Sequence, residues 1–407
     1  VMSIADRLPQ VGRFVQIGGD AVPEGHVDYE SWLAAHEPSD PGAASGPTDV
    51  AFQLYSSGTT GLPKGVMLSN DNFSALLPLA AEIWEMHADS VVLAAMPLFH
   101  IGGGGWATAG MYLGCTTVLM RDLDPGALAA LIERHQVTHI FVVPAVLAFM
   151  LTTPGLSSLQ LRSMEVVLYG ASPISEEVLV QSQALFGCKF WQAYGLTETT
   201  GAIVNLPPAD HDPNGPYPHR LRSCGLPGPG VDLRIVDDAG NELPTGEVGE
   251  IEVRSPQVML GYWNRPEATA ETIVDGWFRT GDVGYVDADG YLYIHDRIKD
   301  MIVSGGENVY PAEIENALMK HPDIADVAVI GVPDDRWGEV PKALVVAARD
   351  ARPDAEDILT FARERLARFK VPKSVEVVNE LPRNPSGKIL KHELRAPYWE
   401  GRDRSVN

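Results

Sequence analysis

The sequence predicts an α/β protein with a large N-terminal domain of helix-covered, mostly parallel sheets, a small β-barrel-like subdomain, and a small α+β C-terminal domain. Three observations support this fold class. In the first half of the chain, apolar runs of four to six residues alternate with longer helical patterns, as in parallel sheets covered on both faces. From about residue 221 the strands are punctuated by glycine and proline. After residue 297 helical and strand patterns mix again.

The first half is predicted to contain four short buried strands and two helices between them. The strands are Val91–Met96, His139–Val143, Glu165–Leu168 and Lys189–Gln192, and the helices are Pro125–His135 and Ser175–Phe186. The β subdomain, about residues 221–295, is predicted to contain Val231–Val236, a turn at Asp237–Asn241, Gly249–Arg254 and a hairpin over Tyr285–Tyr293. The segment Pro213–His219 is predicted to be an exposed loop.

A domain boundary is expected near Arg297–Lys299, which gives an N-terminal domain of residues 1–297 and a C-terminal domain of residues 298–407. The C-terminal domain is predicted to contain helices Pro311–His321 and Asp354–Arg368 and strands Ile324–Ile330 and Ala343–Ala348. The second of these helices is amphipathic, which favours packing against a sheet.

Composition excludes several classes of function. The 407 residues include 31 Lys and Arg against 54 Asp and Glu, a net charge of −23, which disfavours a general nucleic-acid binder. With 45% hydrophobic and 21% charged residues the chain is typical of globular proteins rather than disordered ones. The three cysteines fit neither a disulfide framework nor a zinc ribbon, so a reducing cytoplasm is expected. Val1–Arg13 lack the pattern of a secretory signal.

The segment Ser90–Met120 has 31 residues without Asp, Glu, Lys or Arg, which is long enough to cross a bilayer. Pro97 and the run Gly102–Gly105 interrupt it, however. A buried strand, loop, helix and strand is therefore favoured over a transmembrane segment.

The strongest local motif is Tyr55-Ser-Ser-Gly-Thr-Thr-Gly-Leu-Pro-Lys-Gly-Val66. Glycines let backbone N–H groups turn toward an anion, hydroxyls donate further hydrogen bonds, and the lysine adds positive charge. We interpret it as a phosphate-binding loop, although it does not match the Walker pattern. The alternative is an ordinary solvated loop rich in glycine and serine.

Further motifs follow in order along nearly the whole chain. They are Tyr194-Gly-Leu-Thr-Glu-Thr-Thr200, Trp277-Phe-Arg-Thr-Gly-Asp282, Asp296-Arg-Ile-Lys-Asp300, Ser304-Gly-Gly-Glu-Asn-Val-Tyr-Pro-Ala-Glu-Ile-Glu315 and Asn384-Pro-Ser-Gly-Lys-Ile-Leu390. With the phosphate loop, this ordered set resembles the adenylate-forming acyl-CoA synthetases, the superfamily of firefly luciferase, aryl-CoA ligases and peptide-synthetase adenylation domains. Tyr262-Trp-Asn-Arg-Pro-Glu267 is most similar to bacterial fatty-acid–CoA ligases.

The resemblance implies an ATP-dependent ligase with Mg²⁺ and coenzyme A. Such an enzyme joins a carboxylic acid, here expected to be a fatty acid, to the α-phosphate of ATP and releases pyrophosphate. The thiol of coenzyme A then displaces AMP to form a thioester. A small-molecule acid, ATP and coenzyme A are the expected partners, with no nucleic acid and no transmembrane segment.

The resemblance also implies roles for individual residues in nucleotide binding. Asp282 is expected to bind the ribose hydroxyls and Arg297 the ribose or a phosphate, while Gly170, Ala171 and Ser172 border the adenine. Tyr194 is expected at the other face of the base, although it also suits a core position, and Gly195 is expected to belong to the nucleotide site. The nucleotide set is completed by Ser56, Ser57, Gly58, Thr59, Thr60, Gly61, Lys64, Thr197 and Lys388.

Four residues are expected to be catalytic. Lys388 is implied to bridge the carboxylate and the α-phosphate, Glu198 to hold Mg²⁺, and Thr197 to donate to a phosphate. For the last two, the alternative is a helix-capping pair. His100 is implied to lie between nucleotide and acyl pocket, whereas a lone histidine in an apolar stretch is more often a core residue. Gly103 and Trp106 are expected to line the acyl pocket with His100, and core packing is the alternative.

The C-terminal domain is expected to be mobile. The resemblance makes Lys299 the hinge, about which the domain rotates so that Lys388 leaves the site. The loop at Ser304, Gly305, Gly306 and Glu307 then contributes to the coenzyme A tunnel.

Other interpretations stay open at this stage. The family usually has well over one hundred residues before the phosphate loop, whereas this chain has 54, so the first part of the N-terminal domain is expected to be missing. An aryl-CoA ligase and a non-catalytic scaffold are alternatives. A peptide-synthetase domain is disfavoured because only 19 residues follow Lys388. Peripheral membrane contact and a homodimer are compatible with the sequence.

Overall fold

The structure is a computed structural model that describes residues 4, 7–19, 21–57, 63–349, 351–384 and 387–400, with the backbone alone at residue 57. The chain divides into two compact units, residues 1–46 and 47–407. The first unit contains a parallel pair of short strands and one helix, which Asp28 caps by accepting a hydrogen bond from the backbone N–H of Ser31 at 2.8 Å. The elements from residue 50 onward belong to the second unit.

Strands and helices are numbered along the described chain. The strands are β1 Phe14–Gln16, β2 His26–Asp28, β3 Val50–Ser57, β4 Pro63–Ser69, β5 Val91–Ala94, β6 Thr116–Leu119, β7 His139–Val142, β8 Val166–Gly170, β9 Lys189–Leu196, β10 Gly201–Leu206, β11 Leu226–Pro227, β12 Asp232–Val236, β13 Gly249–Arg254, β14 Gly261–Tyr262, β15 Ile273–Val274, β16 Trp277–Val286, β17 Leu292–Arg297, β18 Ile302–Ser304, β19 Glu307–Val309, β20 Ile324–Asp334, β21 Gly338–Ala347 and β22 Ser374–Val378. The α-helices are α1 Tyr29–Ala34, α2 Asn70–Leu76, α3 Leu79–Glu82, α4 Ile101–Tyr112, α5 Pro125–His135, α6 Pro144–Leu151, α7 Glu176–Phe186, α8 Pro266–Thr272, α9 Pro311–Leu318, α10 Ala355–Arg363 and α11 Lys391–Arg395.

A seven-stranded sheet forms the core of residues 47–300. Its order is β11-β10-β9-β8-β7-β5-β6, and the pairs among β6, β5, β7, β8 and β9 are parallel, whereas β10 and β11 are antiparallel. Strands β7 and β8 are buried at every position, as expected for central strands with both faces covered. The predicted mostly parallel, helix-covered sheet is confirmed.

The uncharged segment Ser90–Met120 forms β5, a loop, α4 and β6, as predicted. The glycines Gly102–Gly105 and Gly110 lie inside α4, where glycine normally costs about 1 kcal/mol relative to alanine. A Cβ on Gly103 would lie 2.2 Å from the carbonyl oxygen of Pro97, so only glycine lets this helix approach the preceding loop so closely. Within the described residues, no helix is long and apolar enough to span a bilayer.

The predicted β subdomain is an antiparallel sheet of order β12-β13-β16-β15, with β17 paired to β16. The turn at Asp237–Asn241 closes as expected, since Asp237 donates to the carbonyl of Asn241 at 2.9 Å. The predicted hairpin over Tyr285–Tyr293 is longer than expected, because β16 starts at Trp277 and β17 continues to Arg297. A separate sheet of order β14-β4-β3 contains the described ends of the phosphate-loop motif, which lie in β3 and β4.

The C-terminal sheet has the order β19-β18-β21-β20, with β22 parallel to β21. Successive residues of β20 point to opposite faces, as strand geometry requires. Val327 and Val329 pack with α9 and α10, whereas Ala328 and Ile330 pack beneath α11. The apolar cluster of the larger part ends at Leu292 and the next begins at Ile302. The expected boundary near residues 297–299 stays a prediction.

Several predicted elements differ at their ends, and the strands Lys189–Gln192, Ile324–Ile330 and Ala343–Ala348 are observed as β9, β20 and β21 with longer ranges. The strand Val91–Met96 stops at Ala94, where the chain enters the loop before α4. Helix α9 ends at Leu318 rather than His321, because the residue that precedes Pro322 avoids helical backbone angles. Helix α10 ends at Arg363 rather than Arg368 and passes into tight turns. In the predicted loop Pro213–His219, the last two residues begin a short 3₁₀ helix.

We predict that Gly195→Ala destabilises the protein by about 1–3 kcal/mol, as overpacking of a tight site typically does. A Cβ at Gly195 would lie 1.8 Å from the carbonyl oxygen of Gly201 on the paired strand β10. Gly228→Ala is the matched control, because its Cβ would meet nothing closer than 3.5 Å. Urea unfolding of both variants measures the difference, and equal midpoints would contradict the steric argument.

Candidate active site

Glu198 lies in a short 3₁₀ turn, Thr197–Thr199, at the C-terminal end of β9. The turn is fixed from two sides. The hydroxyl of Thr199 donates to the carbonyl of Gly201 at 2.8 Å, and the carbonyl of Glu198 accepts from the backbone N–H of Met259 at 2.8 Å. Thr197 and Glu198 are each 9% exposed. The structure therefore holds this acidic residue in a buried, fixed position.

The carboxylate of Glu198 lies beside the described end of β3 in the phosphate-loop motif. Its Oε1 accepts from the hydroxyl of Ser56 at 2.9 Å and from the hydroxyl of Tyr262 at 3.1 Å. The ammonium of Lys64 lies 4.8 Å from the centre of the Tyr262 ring. Two distant motifs thus meet at one carboxylate.

Part of the predicted phosphate loop lies outside the described residues. Gly58, Thr59, Thr60 and Gly61 lie outside the described residues, as does the side chain of Ser57. The strands on both sides, β3 and β4, are described and bring Ser56 opposite Lys64.

A second carboxylate, Asp282 on β16, lies 4% exposed beside β17. Its Oδ2 accepts from the hydroxyl of Tyr194 at 2.8 Å, and its Oδ1 lies 3.2 Å from Nε of Arg297. The carboxylate of Asp282 is the main cause of the raised pKa of Arg297, and other acidic neighbours act in the same direction. Burial and the adjacent Asp282 raise the pKa of Tyr194, which keeps the phenol protonated as a donor. Three predicted nucleotide ligands therefore form one hydrogen-bonded group.

The predicted adenine border lies at the end of the neighbouring strand β8. A Cβ on Gly170 would meet the carbonyl oxygen of Ala193 at 2.1 Å, so glycine is required here by the sheet itself. Ala171 follows with φ +66°, a left-handed conformation that is unusual for alanine. Gly170, Ala171 and Ser172 thus form a tight turn beside β9, which carries Tyr194.

Lys388 approaches this group from the C-terminal domain. Its loop packs against the start of α6, where a Cβ on Gly387 would lie 3.3 Å from Cγ2 of Val143. Withdrawal from water, together with the nearby cations Arg297 and Lys299, lowers the pKa of Lys388 to about 7, although Asp282 acts in the opposite direction. Lys388 therefore lies in the electrostatic field of residues that are predicted to bind the nucleotide.

His100 caps the N-terminus of α4, where its Nδ1 accepts from the backbone N–H of Gly102 at 3.2 Å. Burial and the adjacent Lys388 lower the pKa of His100, whereas Glu198 raises it. At neutral pH the ring is therefore mainly uncharged. Lys388 and Glu198 therefore lie close enough to His100 for their charges to act on it.

Gly103 and Trp106, expected in the acyl pocket, lie in the helix that His100 caps. Trp106 is 4% exposed, and its indole N–H donates to the carbonyl of Leu93 at 3.2 Å. Its ring lies 6.3 Å from that of Phe141. These contacts belong to core packing beneath the cleft, and a role in the acyl pocket stays a prediction.

The predicted hinge residue Lys299 is surrounded by charged groups. Arg395 donates to the carbonyl of Lys299 at 3.2 Å and lies 2.9 Å from Oδ1 of Asp300. Burial, followed by the field of Arg297, lowers the pKa of Lys299. Although burial acts to raise the pKa of Asp300, the cations Lys391, Arg395, Lys299 and Lys388 lower it.

The predicted coenzyme A loop, Ser304–Glu307, is the turn of the β18–β19 hairpin. Gly305 and Gly306 have φ of +62° and +88°, which the two-residue turn requires. Gly305 donates to the carbonyl of Trp337 at 2.8 Å. The contacts described for this hairpin lie within the C-terminal sheet, so the structure does not bring it together with Lys388 and His100.

The residues present suit Mg²⁺ bound together with a nucleotide. No cluster of three or more His, Cys, Asp or Glu side chains occurs in the described part of the chain. Mg²⁺ commonly takes only one or two protein carboxylates and completes its shell with phosphates and water. Glu198, whose Oε1 is fixed by two hydroxyl donors, offers such a carboxylate beside Lys64.

Sequence reasoning missed several residues of this region. Tyr262 was noted only as part of a subgroup motif, and its contact with Glu198 needs β14 to pair with β4. Asp300, Lys391 and Arg395 were not assigned to the hinge. Alternating acidic and basic residues in two distant motifs were the available signal, but their pairing depends on tertiary structure.

Comparison of this chain with known protein families and proteins agrees with the geometry of the site. The sequence matches the family described as AMP-binding enzyme over residues 2–263 and the family described as AMP-binding enzyme C-terminal domain over residues 313–388. It is 47% identical to the fatty acid–[acyl-carrier-protein] ligase ScoC of Streptomyces coeruleorubidus over 93% of this chain and 73% of that protein. It is 42% identical to a feruloyl-CoA synthase of an Amycolatopsis species over 93% of this chain and 74% of that protein.

A solved structure gives the same result. ATP-bound MatB from Rhodopseudomonas palustris superimposes with a TM-score of 0.84 at 34% identity, over 92% of this chain and 73% of that one. The fold class predicted from the sequence is therefore confirmed.

We predict that ATP binding takes up protons at pH 8. A Lys388 pKa of about 7 leaves the lysine mainly neutral at that pH, and nearby phosphate charge would raise its pKa and recharge it. Calorimetry in buffers of different ionisation enthalpy should show close to one proton taken up per ATP. At pH 6, where the lysine is already charged, the uptake should nearly vanish.

Lys388→Met is the control, because it retains the length of the side chain without a titratable group. The variant should show much smaller uptake at pH 8 than the wild type. Equal uptake in both proteins would assign the proton to another group.

Proposed function

This chain belongs to the AMP-binding enzyme family of adenylate-forming ligases, and on that premise we propose that it is an ATP-dependent fatty-acid–CoA ligase. It would join a fatty acid to the α-phosphate of ATP and pass the acyl group to the thiol of coenzyme A. The observation that carries the proposal is the grouping of Lys388, His100 and Glu198 beside the pair Asp282 and Arg297.

The first step requires two anions to approach each other. At 4 Å and an effective dielectric constant near 20, one such pair is repelled by about 4 kcal/mol. Lys388 can offset this repulsion from between the carboxylate and the α-phosphate. Arg297, held by Asp282, keeps a second positive charge nearby without swinging into the path of the reacting groups.

The nucleotide would be fixed at both ends. Asp282 has two oxygens, each with a remaining lone pair after its bonds to Tyr194 and Arg297, and a carboxylate matches a vicinal diol such as ribose. At the other end, Lys64, Ser56 and Thr197 would contact the phosphates. Mg²⁺ beside Glu198 would neutralise part of the triphosphate charge.

In the second step the thiol attacks the carbonyl carbon of the acyl-adenylate, and AMP leaves. Lys388 occupies the cleft and would have to withdraw to admit the thiol. Rotation about Lys299 would remove it and bring in the Ser304–Glu307 hairpin, whose two glycines allow close backbone approach. The same rotation makes residues 298–407 the mobile domain of the proposal.

The acid and the acceptor are the finer parts of the proposal. The 47% identical relative named as a fatty-acid ligase and the apolar surroundings of α4 favour a fatty acid. The 42% identical feruloyl-CoA synthase supports an aryl-CoA ligase as the second candidate. Since the first relative is named for an acyl-carrier protein, the acceptor needs a direct test. We propose a cytoplasmic location, consistent with three free cysteines.

Pyrophosphate exchange tests the proposed function. Labelled pyrophosphate should enter ATP only when a suitable acid is present, with fatty acids of graded chain length giving the highest rates. Ferulic and other aromatic acids form the second arm, and coenzyme A and an acyl-carrier protein are compared as acceptors. If no acid increases the rate of pyrophosphate exchange, a non-catalytic protein is favoured. If aromatic acids alone increase it, the fatty-acid assignment is replaced.

We predict that Lys388→Ala slows adenylation by about 10²–10³, comparable to the loss of one preorganised electrostatic contact. Thioester formation from supplied acyl-adenylate should survive, because Lys388 has left the cleft in that step. Rapid-quench assays of the two half-reactions measure both rates. Lys373→Ala, an exposed lysine of the same domain, is the control, and an equal loss in both half-reactions of Lys388→Ala would rule out its role in the first step alone.

A further inference from the structure

Helix α9 lacks a capping side chain of its own. Its N-cap residue, Tyr310, makes no side-chain hydrogen bond to the helix, and Pro311 occupies the first position. Helix N-termini leave backbone N–H groups without intrahelical partners and carry partial positive charge. The question is therefore which group satisfies the start of this helix.

The cap comes from Asp296 on β17. Its Oδ2 accepts from the backbone N–H of Ala312 at 2.9 Å, while its Oδ1 accepts from the N–H of Arg297 at 2.7 Å. Asp296 is paired with Val283 of β16 and so belongs to the β subdomain. Ala312 lies after the proposed hinge Lys299. This hydrogen bond therefore joins the two parts that the proposed rotation would separate.

Two further contacts lie next to this hydrogen bond. The ring of His295, next to Asp296 on β17, lies 5.0 Å from the ring of Tyr310 and is tilted by 34° to it. On the C-terminal side of the hinge, Lys391 of α11 forms a 2.8 Å ion pair with Glu315 of α9. Although burial acts to lower the pKa of Lys391, the carboxylates of Glu315, Asp296 and Asp300 raise it above its ordinary value. Asp296 thus faces positive charge from both the helix terminus and Lys391.

We propose that Asp296 is a positioning residue that latches the C-terminal domain in the conformation where Lys388 occupies the cleft. This inference rests on the proposed function, because it assigns the latch to the adenylation step. Rotation about Lys299 would pull Asp296 away from Ala312 and Lys391 while Lys388 withdraws. The strength of these contacts then sets how readily the enzyme changes from the first half-reaction to the second.

The two parts of the latch can be separated by substitution. Asp296→Ala removes both the hydrogen-bond acceptor and the charge. Asp296→Asn keeps an oxygen that can accept from Ala312 but removes the charge that faces Lys391. If both parts contribute, the asparagine variant should lie between the wild type and the alanine variant.

A matched control lies within the C-terminal domain itself. Asp354 caps α10 by accepting from the N–H groups of Glu356 and Asp357, both at 3.0 Å. Asp354→Ala therefore removes a helix cap of the same chemistry that does not cross the hinge. A purely structural effect of losing a cap should appear in both variants to a similar extent.

The test measures the two half-reactions separately in the full-length wild type and in the three variants. Removal of a helix cap shifts an equilibrium by about fivefold. Asp296→Ala should therefore lower the rate of acid-dependent pyrophosphate exchange about fivefold or more, while the rate of thioester formation from supplied acyl-adenylate is retained or raised. Asp354→Ala should leave the ratio of the two rates at its wild-type value.

The possible failures are distinguishable. If no acid supports pyrophosphate exchange by the wild type, the proposed function itself fails. If the wild type is active but Asp296→Ala leaves the ratio of half-reactions unchanged, or changes it no more than Asp354→Ala does, the latch is refuted. Melting temperatures of all variants identify any change in ratio that merely follows general destabilisation.

Discussion

The central constraint on this protein is the burial of several opposite charges around one cleft. Asp282, Glu198 and Asp300 are each less than 10% exposed, and Arg297, Lys299 and Lys388 approach them from one short stretch and one distant loop. A charge withdrawn from water is costly unless partners compensate it. The depressed pKa of Lys388 reflects that cost directly, because burial and then the nearby cations Arg297 and Lys299 disfavour its charged form.

The fold meets this constraint by placing strand ends side by side. Glu198 follows β9, and the Gly170–Ser172 turn lies at the end of the neighbouring parallel strand β8. His100 lies at the N-terminus of α4, the helix that follows β5 of the same sheet. Ligands of such sheets generally bind beyond the carboxyl ends of the strands. The β subdomain then contributes Asp282 and Arg297 as directly opposed residues of a hairpin.

Much of this arrangement could be predicted, for identifiable reasons. The buried strands and the helices α5 and α7 have strong apolar periodicity and clear end signals, such as Asp124 and Ser175 as N-caps. The ordered motifs named Lys388, Glu198, Asp282 and Arg297 together. Contacts such as Tyr262 with Glu198 and Arg395 with Asp300 could not be predicted, because they join residues more than sixty positions apart through sheet order and domain placement. Likewise, nothing in the local sequence predicts that the indole N–H of Trp106 donates to the carbonyl of Leu93.

The position of Lys388 depends on the domain more than on its own loop. Within that loop, Asn384 exchanges hydrogen bonds of 2.9 Å with Lys388, and Gly387 adopts φ +82°. Arg383 donates to the carbonyl of Gly387 at 2.6 Å and to Asp326 of β20, which fixes this loop to the C-terminal sheet. The backbone of Lys388 is therefore tied to the C-terminal sheet. Under the proposed function, entry and exit of the lysine would follow the contacts that this sheet and its helices make with the β subdomain.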